Sequence, residues 1–195
     1  MKFLLSIFTI SVLLISCKKD FDNSNAINQI KLPDFTESGK TIFGFKMNDS
    51  VWTNFGKHYT NIGVASGWEE NKIISSYFIT GPSEMSFQVG GRLTVVQNSR
   101  AIKDISAGFS FVPTKPYVMT YFLSGLYPRN FNVNDVVNNK YYRTSNTRPF
   151  NLQVTKFDTS NKICSGRFSG TLYNDQNQND SIKITDGRFD VKFPY

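Results

Sequence analysis

Apolar and polar residues alternate with a period of two from Thr41 onward, which is typical of strands that bury one face. The first such segment, Ile42–Met47, is followed by Asn48-Asp49, two residues that tolerate the positive φ of a tight hairpin turn. A two-residue turn here places Phe45 opposite Trp52. The pattern therefore predicts a β-hairpin with an aromatic cross-strand pair.

Short segments of the same kind follow at intervals, separated by Gly, Pro, Asn and Ser. None keeps a helical stripe over ten or more residues. The segments predicted as strands are His58–Ser66, Lys72–Thr80, Glu84–Val89, Arg92–Gln97, Ile105–Val112 and Tyr117–Leu123, and Val133–Asn139 is expected to be a short helical or irregular insert. Many short strands with turns between them predict an all-β fold, an antiparallel β-sandwich or barrel-like single domain over residues 41–195.

The C-terminal part of the chain has the clearest alternation. Thr159–Asn161 fits a three-residue loop between two strands, with Asn161 in the left-handed conformation. The register that follows pairs Asp158 with Lys162, Phe157 with Ile163 and Leu152 with Phe168.

The last strand, Ser181–Phe193, changes its apolar phase across Asp186-Gly187. An Asp-Gly hairpin explains this change, and so does a β-bulge with the glycine left-handed. The bulge is preferred because the preceding strand, Ile163–Leu172, needs a partner of similar length. A one-residue slip then sets Phe189 over Gly166.

The first residues have a different pattern. Lys2 precedes an apolar run, Phe3–Ile15, which is the build of a secretory signal peptide. The sequence Leu14–Cys17 resembles a bacterial lipobox, in which the cysteine is acylated and the leader is cut before it. We therefore expect a signal peptide over residues 1–16 and lipidation at Cys17, where two or three acyl chains suffice for firm attachment.

Residues 17–40 are then expected to form the lipidated cysteine and a flexible tether. Asn, Ser, Asp, Pro and Gly dominate this segment, and no period holds in it. A chain of this kind has an r.m.s. reach of roughly 25–30 Å. The stretch Leu32–Phe35 is the part that is expected to dock on the body.

The composition excludes several classes of protein. The chain has 195 residues, a formal net charge of +7, one His and two Cys. One His and two Cys are too few for a structural zinc site or a disulfide framework. The positive charge is spread along the chain, and export separates the protein from nucleic acid. No nucleic-acid partner, metal or cofactor is therefore expected.

Both ends of the mature chain also resemble a known family. The residues that carry the resemblance are Cys17 with its leader, Leu32–Thr36, Gly39, Phe43-Gly44, Asn48–Trp52, Ile163–Gly170 and Ile184–Val191. The family consists of small lipoproteins from Bacteroidota, most of them of unknown function. This chain departs from the family in having Phe45 where a Cys is common and Asp49 where a Gly is common. The resemblance implies a lipid-anchored all-β domain, and it transfers no catalytic residue.

Few residues are candidates for chemistry. The segment Asp175–Asp186 loosely copies the spacing of an EF-hand calcium loop, but it lacks the central glycine and lies between strands, which favours a solvated hairpin loop. The single His58 has no Ser or Cys motif beside it. Cys164 lies on an apolar strand face and is interpreted as a small buried residue.

Carboxylates and aromatic side chains give two further hypotheses. A glycosidase pair could be drawn from Glu69, Glu70 and the carboxylates of a surface ion cluster at Asp186 and Asp190, although nothing in the sequence fixes their spacing. A sugar-stacking platform could include Trp68, Tyr117, Tyr121, Tyr127, Tyr141 and Tyr142, although packing roles are favoured at this density.

The sequence thus predicts a lipid-anchored protein of the cell envelope, a non-catalytic binding or interaction module with a glycan or protein partner. The alternative is a hydrolase of envelope polysaccharides. Residues 18–22 match in part a pattern associated with surface export of Bacteroidota lipoproteins. An outer-membrane location is therefore expected, and surface exposure is left open. Convergent carboxylates would favour the hydrolase, and exposed clustered aromatics would favour the binding module.

Overall fold

The computed structural model describes residues 21–62, 65–79, 85–124, 129–148 and 150–194. These ranges contain one short 3-10 helix, Ser24–Gln29, and thirteen strands. The strands are β1 Ile42–Met47, β2 Ser50–Thr53, β3 Lys57–Ile62, β4 Ala65–Glu70, β5 Ile74–Ile79, β6 Met85–Gln97, β7 Arg100–Phe111, β8 Thr120–Leu123, β9 Asn130–Asp135, β10 Lys140–Arg143, β11 Phe150–Asp158, β12 Ile163–Asn174 and β13 Ser181–Lys192. The leader and Cys17 lie outside the described residues. Within these ranges, no helix combines the length and apolarity that crossing a bilayer requires.

Eleven of the described strands join into one antiparallel sheet that curls into a half-barrel. The strand order is β2-β1-β13-β12-β10-β9-β7-β6-β5, β11 pairs with β12, and β8 pairs with β11. β3 and β4 form a separate hairpin. The curl brings β5 to the end of β13, where Ser75 Oγ donates to the Lys192 carbonyl at 2.5 Å. The all-β, barrel-like prediction is thereby confirmed.

Aromatic side chains fill the inner face of the curled sheet. Phe43 and Phe45 on β1 are fully buried. The ring centroid of Phe43 lies 5.9 Å from Phe109 and 5.6 Å from Phe168, and that of Phe45 lies 5.7 Å from Phe131. Each fully buried aromatic side chain of this size contributes about 1.5–3 kcal/mol. The core between the strands is therefore the main source of stability.

The first hairpin has the predicted form. Asn48 and Asp49 have φ values of 46° and 67°, as a tight two-residue turn requires. Phe45 lies opposite Trp52, and their rings stack with centroids 4.7 Å apart. Trp52 Nε1 also donates to the Ile105 carbonyl at 3.3 Å, which ties the hairpin to β7.

Two predictions for the middle of the chain are wrong, and a third holds only in part. His58–Ser66 is not one strand, because β3 and β4 form a hairpin there. Gly90-Gly91 does not end a strand, because Gly90 pairs with Gly108 and the ladder of β6 and β7 continues through both glycines. Val133–Asn139 contains no helix, because its first residues belong to β9 and the rest form a turn.

The turn between β11 and β12 differs from the prediction by one residue. Asp158 accepts hydrogen bonds from the Asn161 backbone N–H at 2.9 Å and from its side-chain amide at 2.7 Å. These bonds lengthen the turn, so that Lys162, with φ of 58°, is the left-handed residue instead of Asn161. Asp158 consequently lies opposite Ile163, and Phe157 lies opposite Cys164. An irregularity between Val154 and Lys156 then restores the predicted register, in which Leu152 lies opposite Phe168.

The phase change in β13 is a bulge, as preferred, and the strand continues through it. Phe189 lies opposite Gly166, as predicted. The left-handed residue is Asp186, with φ of 52°, and not Gly187. Gly187 is required for space, because a Cβ there would overlap the ring and the carbonyl of Phe168.

Residues 21–40, which the sequence predicts to be a flexible tether, lie along the sheet; we call this segment the strap. Its end is held by Asp190 on β13, whose side chain is fully buried. The Asp190 carboxylate accepts hydrogen bonds from the backbone N–H groups of Ser38, Gly39 and Lys40 at 3.0, 2.8 and 3.1 Å. It also accepts one from Thr36 Oγ1 at 2.5 Å. The physical reason for the difference is this buried acceptor, which no local pattern in the strap reveals.

The rest of the strap is attached at two further places. The guanidinium carbon of Arg167 lies 4.2 Å above the centroid of the Phe35 ring, and Arg188 donates to the Pro33 carbonyl at 3.3 Å. Nearer its start, Asn23 pairs with the open edge of β6, donating to the Val96 carbonyl at 3.0 Å. The docking that was predicted for Leu32–Phe35 is confirmed.

Candidate functional site

The outer face of β5, β6, β7 and β9 is polar. On β6, Gln88, Gly90 and Arg92 point outward and alternate with core residues. Gly90 lies directly opposite Gly108 on β7. Two facing glycines leave a strip of bare backbone, which forms the floor of an open groove of about 750 Å³. We call this feature the outer groove.

Neutral polar side chains flank this floor. The amides of Gln88 on β6 and Asn132 on β9 make no hydrogen bond to any other described residue. Ser76 and Ser106 add hydroxyl groups. Amides and hydroxyls both donate and accept hydrogen bonds. The groove is within the volume range of ligand sites and can bind an uncharged polar molecule.

The outer groove continues along the strands. A neighbouring recess of about 320 Å³ shares Ile74, Gly90, Gly108 and Asn132 with it. There Ser110 Oγ donates to Asn130 Oδ1 at 2.5 Å. The site is therefore elongated, which suits a chain-like ligand more than a compact one.

The β3–β4 hairpin forms one wall of the groove, and Asn71 fixes its base. The Asn71 side-chain amide donates to the Phe55 carbonyl at 2.6 Å and to Thr94 Oγ1 at 3.0 Å, and its Oδ1 lies 2.8 Å from His58 Nδ1. Gly56, with φ of 83°, allows the close approach to β6, because a Cβ there would overlap the Thr94 carbonyl. His58 thus has a hydrogen-bonding partner within the fold.

Carboxylates near the groove are all engaged within the protein. Asp104 receives two hydrogen bonds from Arg92, at 2.7 and 2.6 Å, and the hydrogen bonding raises the pKa of the guanidinium. Glu70 pairs with Lys57 at 3.1 Å. Glu69 accepts from Thr60 Oγ1 at 3.0 Å. The glycosidase hypothesis therefore has no free pair of acids in the described part of this groove.

The aromatic residues proposed as a platform do not come together. Tyr142 is buried and its hydroxyl donates to Asp180, Tyr121 bonds to the Thr114 and Tyr117 carbonyls, and Tyr127 lies outside the described residues. Trp68 instead packs against Tyr59 and Phe21, with centroids 5.5 and 5.1 Å away. This cluster borders a second recess of about 610 Å³, which shares His58 and Arg92 with the outer groove.

The other candidate residues from the sequence have structural roles. In the calcium-like segment, Asp175 pairs with Arg143, and Asp186 pairs with Lys46 at 2.7 Å. Within the described ranges, no group of three or more His, Cys, Asp or Glu side chains could hold a metal ion. Cys164 is buried, and burial, followed by the charge of Asp190, raises the pKa of its thiol well above the ordinary value.

Comparison with known protein families gives a match for part of the chain. Residues 96–192 match a family described as a domain of unknown function, DUF5025. The match covers just under half of the chain, from the end of β6 to β13, and includes Gly108 and Asn132 of the groove. No curated protein matches the chain, and no solved structure does either. This match to a domain of unknown function is consistent with the resemblance to a largely uncharacterised family.

Sequence reasoning missed the residues that form the groove, namely Gln88, Gly90, Gly108 and Asn132. A signal was present in the polar positions of β9, where Asn130, Asn132 and Asn134 alternate with apolar residues. The order of the strands in the sheet determines which of these side chains lie next to each other, and the sequence does not predict that order.

Proposed function

We propose that this protein is a lipid-anchored module of the cell envelope, whose outer groove binds a neutral glycan without catalysing a reaction. The observation that carries the proposal is the bare strip at Gly90 and Gly108 between the unpartnered amides of Gln88 and Asn132. A sugar ring presents hydroxyl groups that need both donors and acceptors, which amides supply. The glycine floor allows a flat ring to approach the backbone closely.

The anchoring part of the proposal is supported by the sequence. A leader of the secretory type ends at Cys17, and residues 18–22 contain two Lys followed by Asp20 and Asp22. This arrangement supports an outer-membrane lipoprotein, held by its acyl chains.

A binding role is favoured over hydrolysis by the state of the carboxylates. Glycosidases use two carboxyl groups on opposite sides of the bond that is cleaved, one of which starts as a proton donor. In the outer groove Asp104 is engaged in an ion pair with Arg92, and Glu70 in one with Lys57. Hydrolysis of an envelope polysaccharide is therefore the alternative function, which the test below can detect.

The test is calorimetric titration of the purified protein with a panel of neutral oligosaccharides. The wild type is expected to bind one class of glycan, and Gly90→Ile is expected to lose at least about tenfold in affinity because its side chain fills the floor. Gly67→Ala is the matched control, since a Cβ at Gly67 has no neighbour within 4 Å. Equal binding by Gly90→Ile would contradict the groove as the site, and release of reducing ends during the titration would favour the hydrolase.

Anchoring is tested separately by Cys17→Ser. The wild-type protein should partition into the detergent phase at its mature size, and the variant should stay uncleaved or remain in the aqueous phase. Normal partitioning and processing of the variant would contradict lipidation at this residue.

A further inference from the structure

The start of the strap is fixed at one end of the half-barrel. The Phe21 backbone N–H donates to Ser99 Oγ at 3.2 Å, and the Ser99 N–H donates to the Phe21 carbonyl at 3.1 Å. Ser99 is in the turn between β6 and β7. The Phe21 ring also packs on Trp68, with centroids 5.1 Å apart. The chain therefore enters the domain at this turn.

The position of Phe21 limits how far the body can lie from Cys17. Four residue steps separate the two, and a fully extended chain spans at most about 14 Å over that length. This is roughly half the reach expected of a tether over residues 17–40, because the strap from Phe21 onward is attached to the sheet. A lipid on Cys17 would hold the β6–β7 turn close to the bilayer.

The same end of the molecule exposes apolar side chains that the fold does not need there. Ile102 on β7 is 46% exposed, and Val136 and Val137 in the turn after β9 are 49% and 44% exposed. The Val136 N–H donates to the Asp104 carbonyl at 2.9 Å, which places this turn beside β7. Apolar and aromatic side chains of this kind are favoured at the headgroup level of a membrane.

Both signs of charge are present at this end, since Asp22 accepts a hydrogen bond from the Asn98 backbone N–H at 3.2 Å, and basic residues lie beside it. Arg100 is exposed at the tip of the β6–β7 hairpin. Lys18 and Lys19 stand between Cys17 and Phe21 in the sequence. Basic residues next to an anchored acyl chain are attracted by anionic headgroups.

We infer that this anchor end, formed by Phe21, Trp68, Ile102, Val136 and Val137, lies against the headgroup region of the membrane in which the acyl chains of Cys17 are inserted. The inference rests on the proposed lipidation. It also orients the outer groove, because β6 and β7 lead away from the anchor end. The groove then begins beside the bilayer and extends away from it, open to a glycan that arrives from the aqueous side.

The experiment uses the two tryptophans of the chain. The lipidated wild-type protein is reconstituted into vesicles of phosphatidylethanolamine and phosphatidylglycerol that carry a headgroup spin label, which quenches fluorescence at short range. Trp68 is at the anchor end, and Trp52 is only 1% exposed in the core. We expect a loss of emission in the wild type that Trp68→Phe does not show. Equal quenching of the two proteins would overturn the inference.

A reporter at the other end of the sheet provides the matched control. Ser160 lies in the exposed turn before β12, and the end of β12 reaches the anchor side, where the Asp175 N–H donates to the Tyr141 carbonyl at 3.0 Å. The strand between them spans about 35 Å. Ser160→Trp in the Trp68→Phe background should show no quenching, and quenching there as strong as that of Trp68 would mean that the body lies on its side.

The length of the connection is the second variable. A flexible Gly-Ser segment inserted after Asp20 should reduce the quenching of Trp68, since it lengthens the link without altering the strap. Vesicle flotation of the same samples separates the two hypotheses. Protein that does not float with the vesicles contradicts the lipid anchor, whereas protein that floats without quenching of Trp68 contradicts only the orientation.

Discussion

The two outer faces of the curled sheet differ in what lies over them. On β12 and β13 the strap covers the sheet, and Asp190 beneath it is fully buried. On β6, β7 and β9 the floor at Gly90 and Gly108 is open, with the β3–β4 hairpin as a wall along one side. One sheet thus has a face that is completed by its own chain and a face that is available to another molecule.

The chemistry of the two faces agrees with this division. Arg167 and Arg188 lie directly opposite each other on β12 and β13, an arrangement of like charges that is unfavourable by itself. The strap supplies the Phe35 ring to one and the Pro33 carbonyl to the other. On the open face the outward Arg92 is paired with Asp104, and the amides of Gln88 and Asn132 are neutral. Charges on this sheet are therefore matched within the fold, and the unpartnered amides are left for a ligand.

The largest expected effect is on the covered face. Asp190→Ala removes the acceptor for three backbone N–H groups and two hydroxyls, those of Thr36 and Ser165. Hydrogen bonds to a charged group contribute about 1.5–3 kcal/mol each, and a buried donor without a partner adds a penalty. We expect the free energy of unfolding in urea to fall by about 3 kcal/mol or more, and the strap to become sensitive to protease.

Asp186→Asn is the control for that substitution, because asparagine tolerates the left-handed φ of 52° at this position. Asp186 is on the same strand, but it is exposed and forms a surface ion pair with Lys46. Surface pairs contribute little to stability, so this variant should unfold close to the wild type. If both variants are equally stable, the strap is held by contacts other than Asp190.

Acid should weaken the covered face through the same group. Burial raises the pKa of Asp190, but hydrogen bonds from Thr36, Ser165 and the N–H groups of Lys40 and Gly39 outweigh it, so that the pKa is lowered overall. A carboxyl whose folded pKa lies below its unfolded value stabilises the protein above the unfolded pKa, and that stability is lost as the pH falls through the folded pKa. Unfolding measured from pH 6 downward should show this loss, and Asp190→Asn should flatten the dependence on pH below about 4.

The two faces also differ in how far the sequence predicts them. Local signals sufficed at the Asn48-Asp49 turn, at the bulge in β13 and for the apolar face of β12, because turn chemistry and alternation act within one hairpin. Gly90-Gly91 led to a wrong strand boundary, because the pairing of Gly90 with Gly108 and of Gly91 with Ala107 is not visible in the local sequence. The docking of the strap from Phe21 on could not be read locally, because its acceptor, Asp190, lies about 150 residues away.

The candidate site was less predictable than the fold. Glu69, Glu70 and Trp68 stood out as residue types that perform chemistry, and in the structure they are engaged by neighbouring side chains. The groove depends on residues that attract no attention singly, above all Gly90 and Asn132. These residues form a groove only because β6 pairs with β7 and β7 pairs with β9, and this pairing is a feature of the sheet order.

An intermediate effect is expected at the bulge beneath the strap. Gly187→Ala would force a methyl group into the ring and carbonyl of Phe168, both held by β12. Overpacking of this kind costs about 1–3 kcal/mol. Thermal unfolding should show the loss, and Gly67→Ala, which meets nothing within 4 Å, should not. An unchanged melting temperature for Gly187→Ala would mean that the bulge can shift.

The smallest effect on stability is expected on the open face, from the Gly90→Ile substitution that tests glycan binding. A Cβ at Gly90 would lie 3.4 Å from the Ala107 carbonyl, an ordinary contact, and the rest of the side chain projects over the groove. β-Branched residues suit strands, and surface substitutions of this kind usually change stability by about 0.5 kcal/mol or less. Urea unfolding should therefore match the wild type. A large loss of stability would show that the floor must stay bare for the sheet itself, and glycine at this position would then be no argument for a ligand.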